Sequence, residues 1–281
     1  MATNIKSSIQ AWIQDKIGIG ENRDRLQLLS KRLNSLAVLQ QMTLPVHLPL
    51  SEQLQDDALQ LVGLTRADVC LAIHRSDPMF RYPLQHHGGQ LEVTLAEYVV
   101  AGHGAATVVA SMASGAERLL DFGCGYGRVS RFLRQALPDV AIHGLDPKAS
   151  AMAFQQDTLG LMPHSDGLTY DLLFAGSVFT HLRPLDFKAA LKDVVALLSP
   201  GGKALITLHP FIGKGYQVFD STEESALPEL EDNLNESDYV SAYCSRDFLD
   251  AALMDSCPTA SVEVLDGKLF GGSQVYIAIK L

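Results

Sequence analysis

No two cysteines in the sequence stand at C-x-x-C spacing, and the four present, Cys70, Cys124, Cys244 and Cys257, show no metal-like interval. A motif-held structural metal is therefore not expected, and free thiols suit a reducing, cytoplasmic setting. H-E-x-x-H is absent, so no zinc-protease helix is signalled. G-x-S-x-G is absent too, so nothing marks a hydrolase nucleophile turn. Cations are scarce: Lys plus Arg is 22 against 32 for Asp plus Glu, a formal charge of −10. That balance disfavours nucleic acid, whose binding rests on clustered positive charge. Arg118, Arg128, Arg131 and Arg134 are a local exception, and a solvated helical face accounts for them. The opening "MATNIKSSIQAWIQDKIGIG" lacks the apolar core of a signal peptide. The most hydrophobic window, Leu95 to Ala116, carries Glu97 and His103 and suits a buried or half-buried helix, not a membrane span. No internal repeat or low-complexity tract appears.

What remains is an ordinary globular composition over 281 residues, with 47% hydrophobic and 19% charged residues, enough for one large α/β domain and an accessory region. Leu26, Leu29, Leu33 and Leu36 alternate spacings of 3 and 4, which predicts either a short coiled-coil contact between two copies or a helix packed on its own domain. Pro45 and Pro49 end that pattern. Residues 51–116 predict further helices, broken at "SDPMFRYPLQHHGGQ" by prolines and glycines. From Arg118 short apolar runs alternate with helical stretches: "RLLDF", a helix from Arg128 to Leu137, "VAIHGLD", "YDLLFAGS", a helix from Leu185 to Leu198, then "KALITLH". "SRDFLDAALM" predicts a last helix, and "SVEVLDG" with "SQVYIAIK" a closing hairpin. This alternation predicts a parallel sheet with helices on both faces.

"LLDFGCGYGRVSRFL", residues 119–133, carries the chemistry. A strand ends on Asp121, three glycines follow at alternate positions, Gly123, Gly125 and Gly127, and a helix begins at Arg128. Glycines there bring bare backbone to a ligand, and the helix N-terminus offers N–H groups to an anion. Dinucleotide folds use G-x-G-x-x-G around a pyrophosphate. The tighter G-x-G-x-G, with an acid two positions earlier, suits a cofactor bearing an amino-acid tail. Its ammonium meets Asp121 and its carboxylate the turn amides. Asp146 ends the next strand 19 residues after Gly127, a place suited to both ribose hydroxyls.

With "HGLD", "YDLLFAGSVFTHL" and "LSPGGKALITLH" following in order, the chain resembles the class I S-adenosylmethionine-dependent methyltransferases over residues 117–210 and the C-terminal hairpin, while the N-terminal hundred residues match only loosely. The resemblance implies a Rossmann-like, doubly wound, mostly parallel seven-stranded sheet with a C-terminal antiparallel hairpin, preceded by a helical N-terminal region. It divides the chain into residues 1–105, lidding the site or dimerising, and residues 106–281, the methyltransferase domain with a substrate-loop insertion at 211–243. It implies S-adenosyl-L-methionine as cofactor. Asp121, Gly123, Cys124, Gly125 and Gly127 would line its methionine end, Asp146 hold its ribose, and Pro147 lie beside its adenine, with Ser177 and Val178 after the fourth strand. The Cys124 thiol is expected to be inert packing. Only 24 residues separate Asp146 from Tyr170, so "AMAFQQD" is expected to be the third strand, ending at Asp157 beside the adenine. The competing reading keeps a helix from Lys148 to Asp157 and loses the strand.

Methyl transfer from a sulfonium is an in-line displacement in which positioning does much of the work, and a base is needed where the acceptor holds its proton tightly. His181 and His209, just beyond the fourth and fifth strands, are the candidate bases; His181 also stands where it would cap a helix. Tyr82, His86 and His87 are candidate lid residues. Eight acids and no Lys or Arg between Gly215 and Ser245 suit either a cationic acceptor or a solvated loop, and Phe211, Tyr216 and Phe219 either flank an acceptor or pin that loop. The expected activity is methyl transfer to a small-molecule acceptor, on O, N or C. The rivals are a non-catalytic cofactor-binding partner subunit and a nicotinamide-dependent oxidoreductase.

Overall fold

The computed structural model describes residues 46–220, 240–269 and 272–281, all within one unit of the chain. The leucine pattern at 26–36 and the acids from Glu223 to Asp238 lie outside the described residues. Seven strands form one sheet: β1 (Arg118–Phe122), β2 (Ala141–Leu145), β3 (Met162–Pro163), β4 (Tyr170–Ala175), β5 (Leu198–Leu208), β8 (Ser261–Leu269) and β9 (Gln274–Lys280), in the order β3-β2-β1-β4-β5-β9-β8. β6 (Tyr216–Asp220) and β7 (Val240–Cys244) pair separately as an antiparallel ribbon. Pairing from β3 to β5 is parallel, while β9 runs antiparallel to both β5 and β8. The mostly parallel sheet and closing hairpin match the expectation from strand-helix alternation.

The two-residue period of the strands sorts their side chains into two cores. Leu119, Leu172, Phe174, Leu205 and Tyr276 point to one face. They pack there with Leu95, Tyr98 and Val99 of α3 (Leu91–Met112) and Phe132 and Leu133 of α4 (Ser130–Ala136). Leu120, Leu173, Ile206 and Ile277 point to the other face. Phe187, Leu191 and Val194 of α6 (Pro184–Ala196) and Leu249 and Leu253 of α7 (Arg246–Ser256) cover them. Each such apolar side chain contributes about 1.5–3 kcal/mol by leaving water. Alone among the described helices, α3 is long and apolar enough to cross a membrane, but eight of its residues are buried in the protein. Residues 105 and 106 both fall inside α3, so no structural break divides the helical region from the sheet there.

Two expectations are corrected. "SDPMFRYPLQHHGGQ" is not an interruption: it holds α2 (Pro78–His86), which follows α1 (Glu52–Gln60). Asp77 caps α2 by accepting from the Met79 amide at 2.9 Å, and Pro78 occupies the first turn, where its missing N–H costs nothing. "AMAFQQD" is not the third strand. It lies in α5 (Ala149–Phe154) and the π-helical turn Gln155–Leu159, which ends at Gly160 in the left-handed conformation. Met152 and Phe154 mimic a strand's alternation, but the buried set Ala151, Phe154, Gln155 and Leu159 keeps the 3–4 spacing of a helix. The third strand is the short Met162–Pro163, pairing with His143 and Gly144 of β2.

The strand order reverses between β1 and β4, so their carboxyl ends diverge and leave a crevice, the place where open α/β sheets bind ligands.

Candidate active site

A cavity of about 410 Å³ fills that crevice. One wall is the loop after β1. Gly123, Gly125 and Gly127 take φ of 74°, 50° and 77°, a left-handed run that only glycine adopts without strain. A Cβ on Gly125 would meet no atom within 4 Å. Gly125 lines the cavity, so its missing side chain leaves a cradle of bare backbone there. The loop is tied to β2: the Gly123 and Cys124 amides donate to the Leu145 carbonyl at 2.7 and 3.3 Å, and the Gly125 amide to Asp146 Oδ2 at 2.8 Å. Asp146 Oδ1 accepts from the Lys148 amide at 2.9 Å. Both carboxylate oxygens are thus oriented by backbone at the cavity edge, with Pro147 beside them.

Asp121, one residue before the end of β1, is 3% exposed and accepts a hydrogen bond from Ser130 Oγ at 2.6 Å. Burial pushes its carboxyl up to about 7, against the pull of Ser130 and with a push from Asp146. Cys124 also borders the cavity, but its Sγ lies 3.6 Å from Met152 Sδ, and burial raises the thiol well above its ordinary range. Such a thiol packs and does not attack.

Gly127 and Asp157, both expected at the ligand, stand elsewhere. Gly127 is absent from the cavity wall. A Cβ there would come within 2.4 Å of Leu159 Cδ1 and 2.8 Å of Gln155 Oε1, so this glycine lets the loop rest on the π-helical turn. Gln155 Nε2 donates to the Cys124 and Gly125 carbonyls at 3.1 and 2.9 Å, bracing the loop from behind. Asp157, two residues on, is exposed and off the cavity because the segment is helical. The π-turn is a common device at functional sites.

Arg131 and Arg128 correct the solvated-face expectation, while Arg134 is exposed as expected. Arg131 is 4% exposed. Its Nε donates to the Gly127 carbonyl at 2.8 Å, Nη2 to the Tyr126 carbonyl at 3.0 Å, and Nη1 to the Cys70 and Ala72 carbonyls at 3.1 and 3.0 Å. It bolts the loop to the segment before α2. Arg128 lines the cavity, as do Asp77, Pro78 and Met79 at the start of α2. Asp77 is fully buried, and burial pushes its carboxyl up against the pull of the Tyr98 hydroxyl, which donates to it at 2.8 Å, and of Arg131 and Arg128. Sequence reasoning missed these groups, although the D-P pair at a helix start was a usable signal. Tyr82, His86 and His87, expected in a lid, do not line the cavity; His87 pairs with Glu97 at 2.7 Å.

The opposite wall follows β4, with Gly176, Ser177, Val178 and His181 at the cavity. His181 Nδ1 lies 2.9 Å from the Val240 carbonyl on β7. A carbonyl only accepts, so Nδ1 carries the proton and Nε2 the lone pair of the neutral ring. Burial lowers the imidazole's pKa, against the Val240 carbonyl and with His209, so the ring is neutral at pH 7. His209 hangs in the same way, its Nδ1 2.9 Å from the Ala242 carbonyl, but stacks on Tyr243 at 4.3 Å and does not line the cavity. The structure thus separates the two candidate bases. Phe211 and Tyr216 pack against the second core, while Phe219 is 56% exposed, edge-on to Tyr243.

Residues 120–204, from β1 through the glycine loop and the β4 turn into β5, match the family model described as "Methyltransferase domain". That stretch is similar to a methyltransferase domain. No curated protein sequence matches the chain. Among solved structures, it is similar to CalS10 of Micromonospora echinaspora, an amino pentose methyltransferase: 17% identity, 72% of this chain and 97% of that chain covered, TM-score 0.47. DesVI of Streptomyces venezuelae follows at 16% identity, 70% and 95% coverage and TM-score 0.45. The glycopeptide N-methyltransferase MtfA stands at 14% identity, 65% and 96% coverage and TM-score 0.46. Among the described residues, no group of three or more His, Cys, Asp or Glu gathers as a metal site.

Proposed function

We propose that the methyltransferase domain methylates a hydroxyl group of a small molecule, with S-adenosylmethionine as donor and His181 as general base. The observation that carries this reading is one cavity joining the glycine loop and Asp146 to a neutral histidine whose basic nitrogen is Nε2. The residues fit the cofactor: the open cradle at Gly125, the paired orientation of the Asp146 oxygens and the buried Asp121 carboxyl suit peptide-like tail, sugar hydroxyls and ammonium in turn. Gly123, Cys124 and Gly125 would line the tail, with Ser177 and Val178 facing them, and Pro147 would lie beside the base. Bound S-adenosylmethionine supplies an electrophilic methyl on a positively charged sulfur. The chain supplies orientation and a proton acceptor: His181 Nε2 takes the hydroxyl proton, while the Val240 carbonyl supports the resulting imidazolium through Nδ1–H. A preformed neutral base matters most for an oxygen acceptor, whose proton is held tightly at pH 7.

The same reading places the enzyme in the cytoplasm, supported by four cysteines that are all unpaired. Calorimetric titration with S-adenosylmethionine and with NAD tests the cofactor: the first binds and the second does not. A screen of hydroxyl and amine compounds with methyl-labelled cofactor tests the acceptor. Label confined to amines would reject the oxygen assignment.

A further inference from the structure

Three residues distant in sequence close a ring of hydrogen bonds behind the β4 turn. The Ser177 amide donates to Thr207 Oγ1 at 2.7 Å, the Thr207 hydroxyl donates to Gln274 Oε1 at 2.7 Å, and Gln274 Nε2 donates to Ser177 Oγ at 3.1 Å. The Ser177 hydroxyl also lies 3.2 Å from Gln274 Oε1. From the other side, Thr180 Oγ1 donates to the Ser177 carbonyl at 2.9 Å. Ser177 takes φ of 62°, alone among the non-glycine residues described in entering the left-handed region. That conformation is unfavourable for a residue with a Cβ and persists only where its surroundings impose it. Here the ring imposes it. Thr207 and Gln274 are buried, and a buried amide is retained only when its polar atoms are paired, as both are here.

The strain is placed where it matters. Val178, next in the chain, packs on the first glycine of the opposite wall: a Cβ on Gly123 would come within 2.4 Å of Val178 Cγ2. A change in the Ser177 backbone therefore moves Val178 against the loop that faces it across the cavity.

We propose that Gln274, at the start of β9, is a positioning residue that acts through Ser177, holding the β4 turn left-handed and so fixing the separation of Val178 from the glycine loop. The proposal rests on the S-adenosylmethionine reading. It assigns a role in the site to the C-terminal hairpin, which lies beyond the residues that match the family model.

The test is a double-mutant cycle read by calorimetric titration with S-adenosylmethionine and by thermal melting. Gln274→Leu keeps the volume and removes both polar atoms. It is expected to weaken binding about tenfold in the wild-type background, and Ser177→Gly, which adopts the turn without help, serves as the second background, its own affinity being the reference there. In the Ser177→Gly background, Gln274→Leu then weakens binding less than about threefold further, although it lowers the melting temperature in both backgrounds. A merely structural glutamine would give the same loss of affinity in both backgrounds, and that result overturns the proposal. So does unchanged affinity in Gln274→Leu alone. If Gln274→Leu does not fold, Thr207→Val breaks the same ring, and the same expectations apply to it. A wild-type protein that binds no S-adenosylmethionine defeats the proposed cofactor. A wild type that binds, with no coupling between positions 177 and 274, defeats only the role of Gln274.

Discussion

The contacts that set Asp121 and Asp146 on the β1–β2 wall run over 9, 21 and 2 residues of chain, from Ser130, Gly125 and Lys148. On the β4 wall they run over 97 and 59: Gln274 to Ser177 and Val240 to His181. The first wall is backbone shaped by local sequence, in which glycine conformation and strand-end acids make the site. The second is side chain suspended from distant strands. The difference suits the two tasks proposed for these walls. A fixed cofactor asks for one invariant cradle, and an acceptor site can be altered by changing the ribbon β6–β7 without touching the loop.

The largest effect expected from breaking one wall alone falls on the glycine loop. Gly125→Val places a β-branched residue at φ 50°, a strain of about 1–3 kcal/mol, and fills the cradle with a side chain. S-adenosylmethionine affinity should fall at least roughly 100-fold, or about 2.7 kcal/mol. The protein should remain folded, because the new Cβ meets no neighbour within 4 Å. Calorimetry and a melting curve check both parts, and wild-type affinity would mean the ligand does not use the cradle.

Breaking the second wall should leave binding and remove turnover. With an acceptor in hand, His181→Asn is expected to lower kcat about 10²- to 10⁴-fold with S-adenosylmethionine affinity within about twofold of wild type. His209→Asn, off the cavity, should cost turnover less than about tenfold. Equal losses in the two variants would mean that the histidines serve the β7 ribbon and not the chemistry. Steady-state kinetics and calorimetry on the same preparations decide it.

The same division marks what the sequence could show. The strands around Asp121, the D-x-G-x-G-x-G spacing, Asp146 and the closing hairpin are legible because each depends on neighbours within about one strand and turn. Asp157 was misplaced because alternation of Met152 and Phe154 resembles a strand, and a π-helical turn has no spacing of its own to announce it. Gln155, Arg131 and Gln274 carry no local motif: a glutamine in a helix and an arginine beside a glycine loop look like surface until the chain folds over them. Arg131 is bound to carbonyls 59 and 61 residues away, and no periodicity reports such a contact.

The smallest effect is a pH dependence that belongs to the first wall alone. Burial holds the Asp121 carboxyl at about 7 from an ordinary 3.8. Between those values the folded protein keeps a proton that the unfolded chain has lost, so stability falls as pH rises from about 4 to about 7 and levels off above. A bound ammonium favours the ionised carboxylate, so S-adenosylmethionine affinity should move the other way, rising through pH 7 and flattening beyond it. Asp121→Asn should weaken binding and remove both trends, whereas His181→Asn should leave the binding trend in place, because His181 is neutral over the same range above its lowered pKa. Calorimetry from pH 6 to pH 8.5 on wild type and the two variants separates these outcomes. A binding curve that stays flat in wild type would remove Asp121 from the cofactor's ammonium and leave it as a buried acid held by Ser130.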